Sequence, residues 1–474
     1  MRRNSFMNKA ASYVLSAILC LQFAGCRSAV RQPQNTETAG RAEETSVQSG
    51  EENSAENSEV FEIERPNTQD YKLKEVVVFS RHNIRAPLSS NGSVNEIATP
   101  HEWVKWTANS SELSLKGGIL ETEMGQYFRK WLESEELIPE NYIPEDGETR
   151  FYANSKQRTI ATAQYFSSGM LPAANVDIER RGEFGKMDDT FNPKLHFSSA
   201  EYEADVLAQI NEICGENGIE GAVSQLNYDL LTDVIDYKDS EGYKSGELSD
   251  LKTDDTEIIL EDGKEPAMKG SLKTACQISD ALVLQYYEEP DEKKAAFGKD
   301  LTLDQWAEIA NIKEVYGKVL QSAPMLALNM ADPLLEEIKG ELENDSRKFT
   351  FLCGHDVNIT NILSSLEVEQ YELPYTLETN VPIGSKLVFE KWENSEGKQF
   401  VCVEFVYQST EQLRNNTPLS LDTPPVIYPI SFKDMEKNED GLYTFEDIDG
   451  RFEKAINAYY DMEKQYTGSL AEAA

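Results

Sequence analysis

Residues 76–79 read Val-Val-Val-Phe, and the chain turns polar and basic directly afterwards, at Arg81, His82 and Arg85. Successive side chains of a strand point to opposite faces, so an unbroken apolar run needs cover on both. Such a run suits the interior of a parallel or mixed sheet with helices packed on each side. Residues 150–153 form a second strand candidate, and residues 348–356, KFTFLCGHD, a third that ends in His355 and Asp356.

Helical periods lie between these strands. In LSLKGGILETEMGQYFRKWLES, Leu120, Met124, Tyr127, Phe128 and Trp131 share one helical face. Residues 159–168 predict a helix that Gly169 stops, with Pro172 beyond. Ile359, Ile362, Leu363 and Leu366 recur at helical spacing after the third strand. SKLVFEKWE and KQFVCVEFVYQ flank Gly397 as an antiparallel strand pair. Strand and helix alternate, which predicts an α/β domain built from residues 71–198 and 324–474. Helical stretches dominate residues 199–323, and these predict a smaller inserted helical domain.

The N-terminus reads as an export signal. Arg2, Arg3 and Lys9 precede a mostly apolar stretch, residues 10–23, too short to span a bilayer comfortably. FAGC then ends at Cys26 and resembles a bacterial lipobox, with Phe23 where that pattern prefers Leu. The expectation is a signal over residues 1–26, lipidation of Cys26, and an exported protein held on a membrane by a lipid anchor. Residues 27–70 are polar and acidic without an apolar period, and predict a disordered tether. Cys214, Cys276, Cys353 and Cys402 are too scattered for a disulfide framework, and no Cys/His spacing suggests zinc.

Acidic residues outnumber basic ones 84 to 45, a formal net charge of -39 over 474 residues. That balance argues against nucleic acid as a partner. It also repels small anions at long range, so an anion site must be a local inversion of sign. Arg81, His82 and Arg85 supply one at a strand end, where open α/β sheets place their sites. His355 and Asp356 stand at another strand end, and these places hold two of the chain's four histidines. Guanidinium forks suit a tetrahedral oxyanion, and Arg158, opening the helix after the second strand, adds a third. At an effective dielectric of about 20, a charge pair at about 4 Å contributes roughly 4 kcal/mol before desolvation. The acidic background is screened beyond about 8 Å at physiological salt. Positive neighbours keep His82 neutral, and a neutral imidazole facing a phosphate is a nucleophile. Asp356, if protonated, can donate to a departing alkoxide. The set calls for neither metal nor cofactor. His101 and His196 lack such company and read as surface or packing residues.

At these residues the chain resembles the histidine acid phosphatases, whose signatures stand here as Arg81-His82-Asn83-Ile84-Arg85-Ala86-Pro87 and His355-Asp356. YANSKQRTIATAQYF, FGKMDDTFNP, PIGSKLVFEKW and VYQSTEQLRN resemble the glucose-1-phosphatase branch of that family, with the bacterial phytases next. The resemblance covers roughly residues 72–421. It implies a phosphoglycerate-mutase-like fold, a central mixed sheet flanked by helices with a helical domain inserted. It implies His82 as nucleophile, Asp356 as acid and then base, and Arg81, Arg85, Arg158 and His355 as phosphate ligands. Glu288, in LQYYE, matches an acidic position that faces the sugar. Asn83 replaces the Gly of the wider family, and Val357 stands where the bacterial enzymes carry Thr or Ser. The expected substrate is a small sugar phosphate of the glucose 1-phosphate type. The alternatives are a phytase, which should line its cleft with extra cations, and a lipoprotein that binds phosphorylated ligands without turnover.

Overall fold

The apolar run at 76–79 is wholly buried, as its pattern requires. In the computed structural model, which describes residues 63–88 and 93–468, nine strands are found among the described residues: β1 (Tyr71–Arg81), β2 (Thr149–Ala153), β3 (Glu257–Ile259), β4 (Ala267–Lys269), β5 (Phe349–Gly354), β6 (Lys386–Asn394), β7 (Gln399–Tyr407), β8 (Val426–Pro429) and β9 (Tyr443–Thr444). Seven of them form one mixed sheet in the order β2-β5-β1-β6-β7-β8, with β9 paired to β7, while β3 and β4 make a separate ribbon. β1 and β2 run parallel to β5, and β6 runs antiparallel to β1. The expected α/β class and central mixed sheet are therefore found.

Each face of the sheet has its own core. On one, Val76, Val78, Phe151, Phe349 and Phe351 meet Met124, Phe128 and Phe166 from the helices Leu115–Ser134 and Gln157–Met170. On the other, Val77, Phe79, Leu352, Phe389 and Phe405 meet the helices Pro324–Leu342, Asp356–Ser365 and Phe445–Thr467. Each such side chain, fully buried, contributes on the order of 1.5–3 kcal/mol. A third cluster, including Trp306, Tyr228, Tyr237 and Tyr286 from the helices of the 200–321 region, also takes in Ile84, Leu120, Ile383 and Tyr459 from the flanking segments.

Gly169 does not stop its helix, which continues to Met170. A Cβ there would sit 2.1 Å from the Thr122 carbonyl, and one on Gly125 would sit 2.1 Å from that of Phe166. The glycines let two helices touch backbone to backbone. Proximity of two helices is a tertiary fact, so a local rule misassigns the glycine as a terminator.

The expected export signal, Cys26 and the tether up to residue 62 lie outside the described residues. Residues 63–70, expected as the end of the tether, run against the fold. Arg65 reaches Glu404 with Nε and Nη2, at 3.3 and 2.8 Å, and Asn67 bonds to Asp440. Glu404 is 339 residues away in sequence, which hides the contact from local pattern. Among the described residues, no helix is long and apolar enough to cross a membrane. Cys214, Cys276, Cys353 and Cys402 are free thiols.

Glu390 lies beside Glu404 and accepts from Trp392 Nε1 at 3.0 Å. Burial, then the neighbouring Glu404, pushes the Glu390 carboxyl well above its ordinary range, so it is held protonated. The associated stability is complete below the unfolded value near 4 and is lost as pH rises through the raised folded value. Glu390→Gln keeps a neutral donor and acceptor and cannot ionise. Its thermal midpoint should therefore gain on the wild type between about pH 5 and pH 9; a constant difference across that range would contradict the protonated state.

Candidate active site

Three parallel strands end level. Arg81 of β1 pairs with Gly354 of β5, and Ala153 of β2 with Cys353. The chain therefore releases Arg81-His82, Asn154-Ser155 and His355-Asp356 at one edge. Arg158 follows in the first turn of the helix Gln157–Met170. Six residues singled out from sequence, Arg81, His82, Arg85, Arg158, His355 and Asp356, are brought together here.

His82 is buried, and its Nδ1 lies 2.9 Å from the carbonyl oxygen of Asn83. A carbonyl only accepts, so Nδ1 carries the proton and Nε2 keeps its lone pair. Burial, then Arg158, His355, Arg85 and Arg81, holds His82 well below the ordinary imidazole range. The ring is neutral, as its neighbours in sequence predict. The His355 ring stands 5.4 Å from it, edge to face.

His355 is held by a relay. Asn154 Oδ1 accepts from the Asp188 backbone N–H at 3.0 Å, which leaves Nδ2 to donate to His355 Nε2 at 2.8 Å. The His355 proton is then on Nδ1, which faces Arg158 Nη2 at 3.3 Å. Two donors turned toward each other suit an anion that accepts from both. Arg158 Nε and Arg81 Nε are buried without a hydrogen-bond partner, a further pull toward an oxyanion. Burial and Arg85 lower the Arg158 guanidinium to about 10, which leaves it charged near neutrality.

The arginines are pinned by carboxylates, two of which, Glu378 and Asp280, local sequence did not single out. Arg81 Nη1 meets Glu378 at 3.1 Å and also donates to the Val381 carbonyl, while Nη2 meets Asp356 at 3.3 Å. Arg85 Nη2 meets Asp280 at 2.9 Å. Asp280 sits in the apolar stretch ISDALVL of the helix Ser271–Glu288. An acid on such a face is a visible hint of a buried partner. Lys313, in the helix Leu303–Gln321, gives no such hint, yet its Nζ touches both Asp280 and Asp356.

Asp356 keeps 33% of its side chain exposed, whereas Arg81 keeps 3%. Burial works against its charge, but Lys313 and then Arg81 hold the carboxyl well below the usual range. Without ligand Asp356 is therefore ionised, and the proton an acid would donate must arrive with the substrate. Val357, next to it, is buried and packs inward.

Glu288 stands apart. It accepts from Ser114 Oγ at 2.9 Å and Thr107 Oγ1 at 3.5 Å, and no described hydrogen bond or ion pair joins it to the cluster. Glu265, in the turn between β3 and β4, lies within electrostatic reach of Asp356 and Arg158. Burial, then Asp356, raises its carboxyl. His101 pairs with Asp236 and stacks on Phe297, and His196 bonds to Tyr459.

Beneath His82, Asn83 Nδ2 donates to Glu121 Oε1 at 2.8 Å, and Lys386 Nζ grips the same carboxylate at 2.7 and 3.0 Å. Both charged side chains are fully buried. They fix the side chain of the residue whose carbonyl sets the His82 tautomer.

An imidazole with one nitrogen tied and the other free, set among guanidinium groups at a sheet edge, belongs to an enzyme that handles oxyanions. The chain belongs to the histidine phosphatase superfamily (branch 2), whose model matches residues 72–408, and it is accordingly a phosphoric monoester hydrolase. It is 37% identical over 396 residues to a glucose-1-phosphatase of Providencia rettgeri, spanning 82% of this chain and 93% of that protein. The phytase AppA of Escherichia coli strain K12 is 27% identical over 396 residues, spanning 79% and 89%. Among solved structures, the phytase from Citrobacter braakii superposes with a TM-score of 0.72 at 27% identity, covering 82% of this chain and 98% of that one.

Asn83→Ala strands the inner oxygen of Glu121 with Lys386 alone and loosens the His82 loop. It should cost roughly 1–3 kcal/mol in urea unfolding and lower kcat with little change in KM. An unchanged kcat in a destabilised variant would show that Asn83 serves packing only.

Proposed function

We propose that this chain is an exported acid phosphatase that hydrolyses small sugar phosphate monoesters, of the glucose 1-phosphate type, through a phosphohistidine. The observation that carries the proposal is the His82 ring: Nδ1 tied to Asn83, Nε2 free, and Arg81, Arg85 and Arg158 all acting on it electrostatically. Arg81, Arg85, Arg158 and His355 bind the phosphoryl oxygens. The phosphoryl group occupies Arg81, one of the two cations that kept Asp356 ionised, and adds negative charge beside it, so Asp356 takes up a proton as the substrate binds. His82 Nε2 then attacks phosphorus, the bond from phosphorus to the sugar oxygen breaks, and that oxygen takes the Asp356 proton. In the second half, water attacks phosphorus, the bond to Nε2 breaks, and the water proton passes to Asp356.

The surroundings support a substrate with one phosphate. Arg81 and Arg85 already have internal carboxylates, Glu378 and Asp280, and Glu265 adds negative charge near the opening. A hexakisphosphate would meet these acids with its other phosphates, whereas sugar hydroxyls can donate to them. The likeness to the Citrobacter braakii phytase keeps phytate hydrolysis as a second activity to measure. Residues 199–323 serve as the helical domain that covers the sheet edge, and the apolar cluster to which they contribute most of the side chains supports that division. The FAGC sequence supports lipidation at Cys26 after export, to be checked by detergent partition of the wild type and of Cys26→Ser.

His82→Ala should abolish both turnover and the trapped phosphoenzyme while leaving the fold intact; undiminished turnover would end the proposal. Asp356→Asn should slow phosphoenzyme formation from aryl phosphates less than from glucose 1-phosphate, since a good leaving group needs no proton, and equal losses in that step would contradict the acid role. Comparing kcat/KM for glucose 1-phosphate, glucose 6-phosphate and phytate on the purified protein decides the substrate class. No turnover of any of them, with phosphate still bound, would mark a binding lipoprotein.

A further inference from the structure

Lys313 is the central link of an alternating chain of charges: Arg85, Asp280, Lys313, Asp356, Arg81, Glu378. Its Nζ lies 2.8 Å from Asp280 Oδ1 and 3.2 Å from Asp356 Oδ2. Asp280 also meets Arg85 at 2.9 Å, and Asp356 also meets Arg81 at 3.3 Å. The lysine side chain is only 21% exposed, so its ammonium is secured by these carboxylates rather than by water. Arg81 and Arg85 are phosphate ligands in the reaction proposed above. Lys313 has carboxylates for both of its ionic contacts.

We propose that Lys313 is a positioning residue for the second half of the reaction, holding Asp356 as a carboxylate aimed at the phosphoenzyme so that it can accept the proton of the attacking water. The inference rests on the acid and base roles of Asp356 proposed above. While phosphorus is bonded to His82, the phosphoryl oxygens occupy Arg81, Arg85 and Arg158 and add negative charge beside Asp356. Asp280, Glu265 and Glu378 act in the same direction, and the neutral rings of His82 and His355 supply no cation. Of the groups that face Asp356, Lys313 is the cation left to favour its charged form. In this half-reaction the oxygen of water bonds to phosphorus, the bond from phosphorus to Nε2 breaks, and the proton goes to Asp356. A protonated Asp356 cannot take it, so losing Lys313 must slow hydrolysis of the phosphoenzyme at acid pH more than its formation.

The test uses Lys313→Gln, Lys313→Arg and Asp280→Asn, with p-nitrophenyl phosphate as substrate and acid-independent trapping of phosphohistidine as readout. An opposite charge at this range moves a carboxyl by about one unit or more. Lys313→Gln should shift the acidic limb of kcat upward by about that much, produce a burst of nitrophenol, and raise the trapped phosphoenzyme on the acid side. Lys313→Arg should restore the profile. Asp280→Asn releases the ammonium to Asp356 and should shift the limb downward, which tests the idea even if Lys313→Gln folds poorly. Wild-type profiles and phosphoenzyme levels in Lys313→Gln, with Asp356→Asn still crippled, would overturn the role of Lys313 and leave that of Asp356 standing. Full hydrolysis by Asp356→Asn would remove the reading on which both rest.

Discussion

The contact of Arg81 with Glu378 and Asp356 is the interaction on which the site depends. It ties the end of β1 to a loop 297 residues away and to the start of the helix after β5. A guanidinium buried this deeply needs carboxylates, yet it must still be able to act on a ligand. The protein meets both demands by giving Arg81 one inner partner, Glu378, and one partner open to the cleft, Asp356. Arg85 and Asp280 repeat the scheme one element further out. The arrangement explains how a chain of net charge -39 keeps an anion site: its cations are fixed by acids behind them, with their remaining donors turned to the front.

The same charges set the chemistry of Asp356. A residue meant to donate a proton is held ionised by Lys313 and Arg81. The conflict resolves once a phosphoryl group takes up the positive charge around it. In the proposed cycle one carboxyl acts as acid in one half and as base in the other, because it gives its proton to the leaving oxygen in the first and is a carboxylate when water attacks. His82 needs no such change. Burial and four positive or titratable neighbours keep it neutral, and the Asn83 carbonyl settles which nitrogen is free.

Precision at His82 comes from below the sheet edge. The buried Glu121–Lys386 pair orients Asn83 through its side chain. A buried ion pair is seldom a gain in stability over an apolar one. Here its worth lies in holding one loop in one geometry. Close contact of the helices through Gly125 and Gly169 does similar service on the same face of the sheet, and it brings Arg158 to its place at a helix start.

Much was legible in residue order. Continuous apolar strands, a 3.6-residue period in the helices and strand-end polar residues each report a local demand for burial or solvation, so the mixed sheet and Arg81, His82, Arg85, Arg158, His355 and Asp356 could be found without coordinates. Asp280, Glu378, Lys313 and the Glu121–Lys386 pair could not, because each acquires its meaning from a partner distant along the chain. The partners of Glu288, Ser114 and Thr107, likewise come from a segment distant along the chain. The sequence by itself determined which residues stand at the strand ends, since side-chain alternation and burial act over a few residues. Only the tertiary structure decided which nitrogen of His82 is free and which charge state Asp356 holds, since both are set by fields and hydrogen bonds that cross from one element to another.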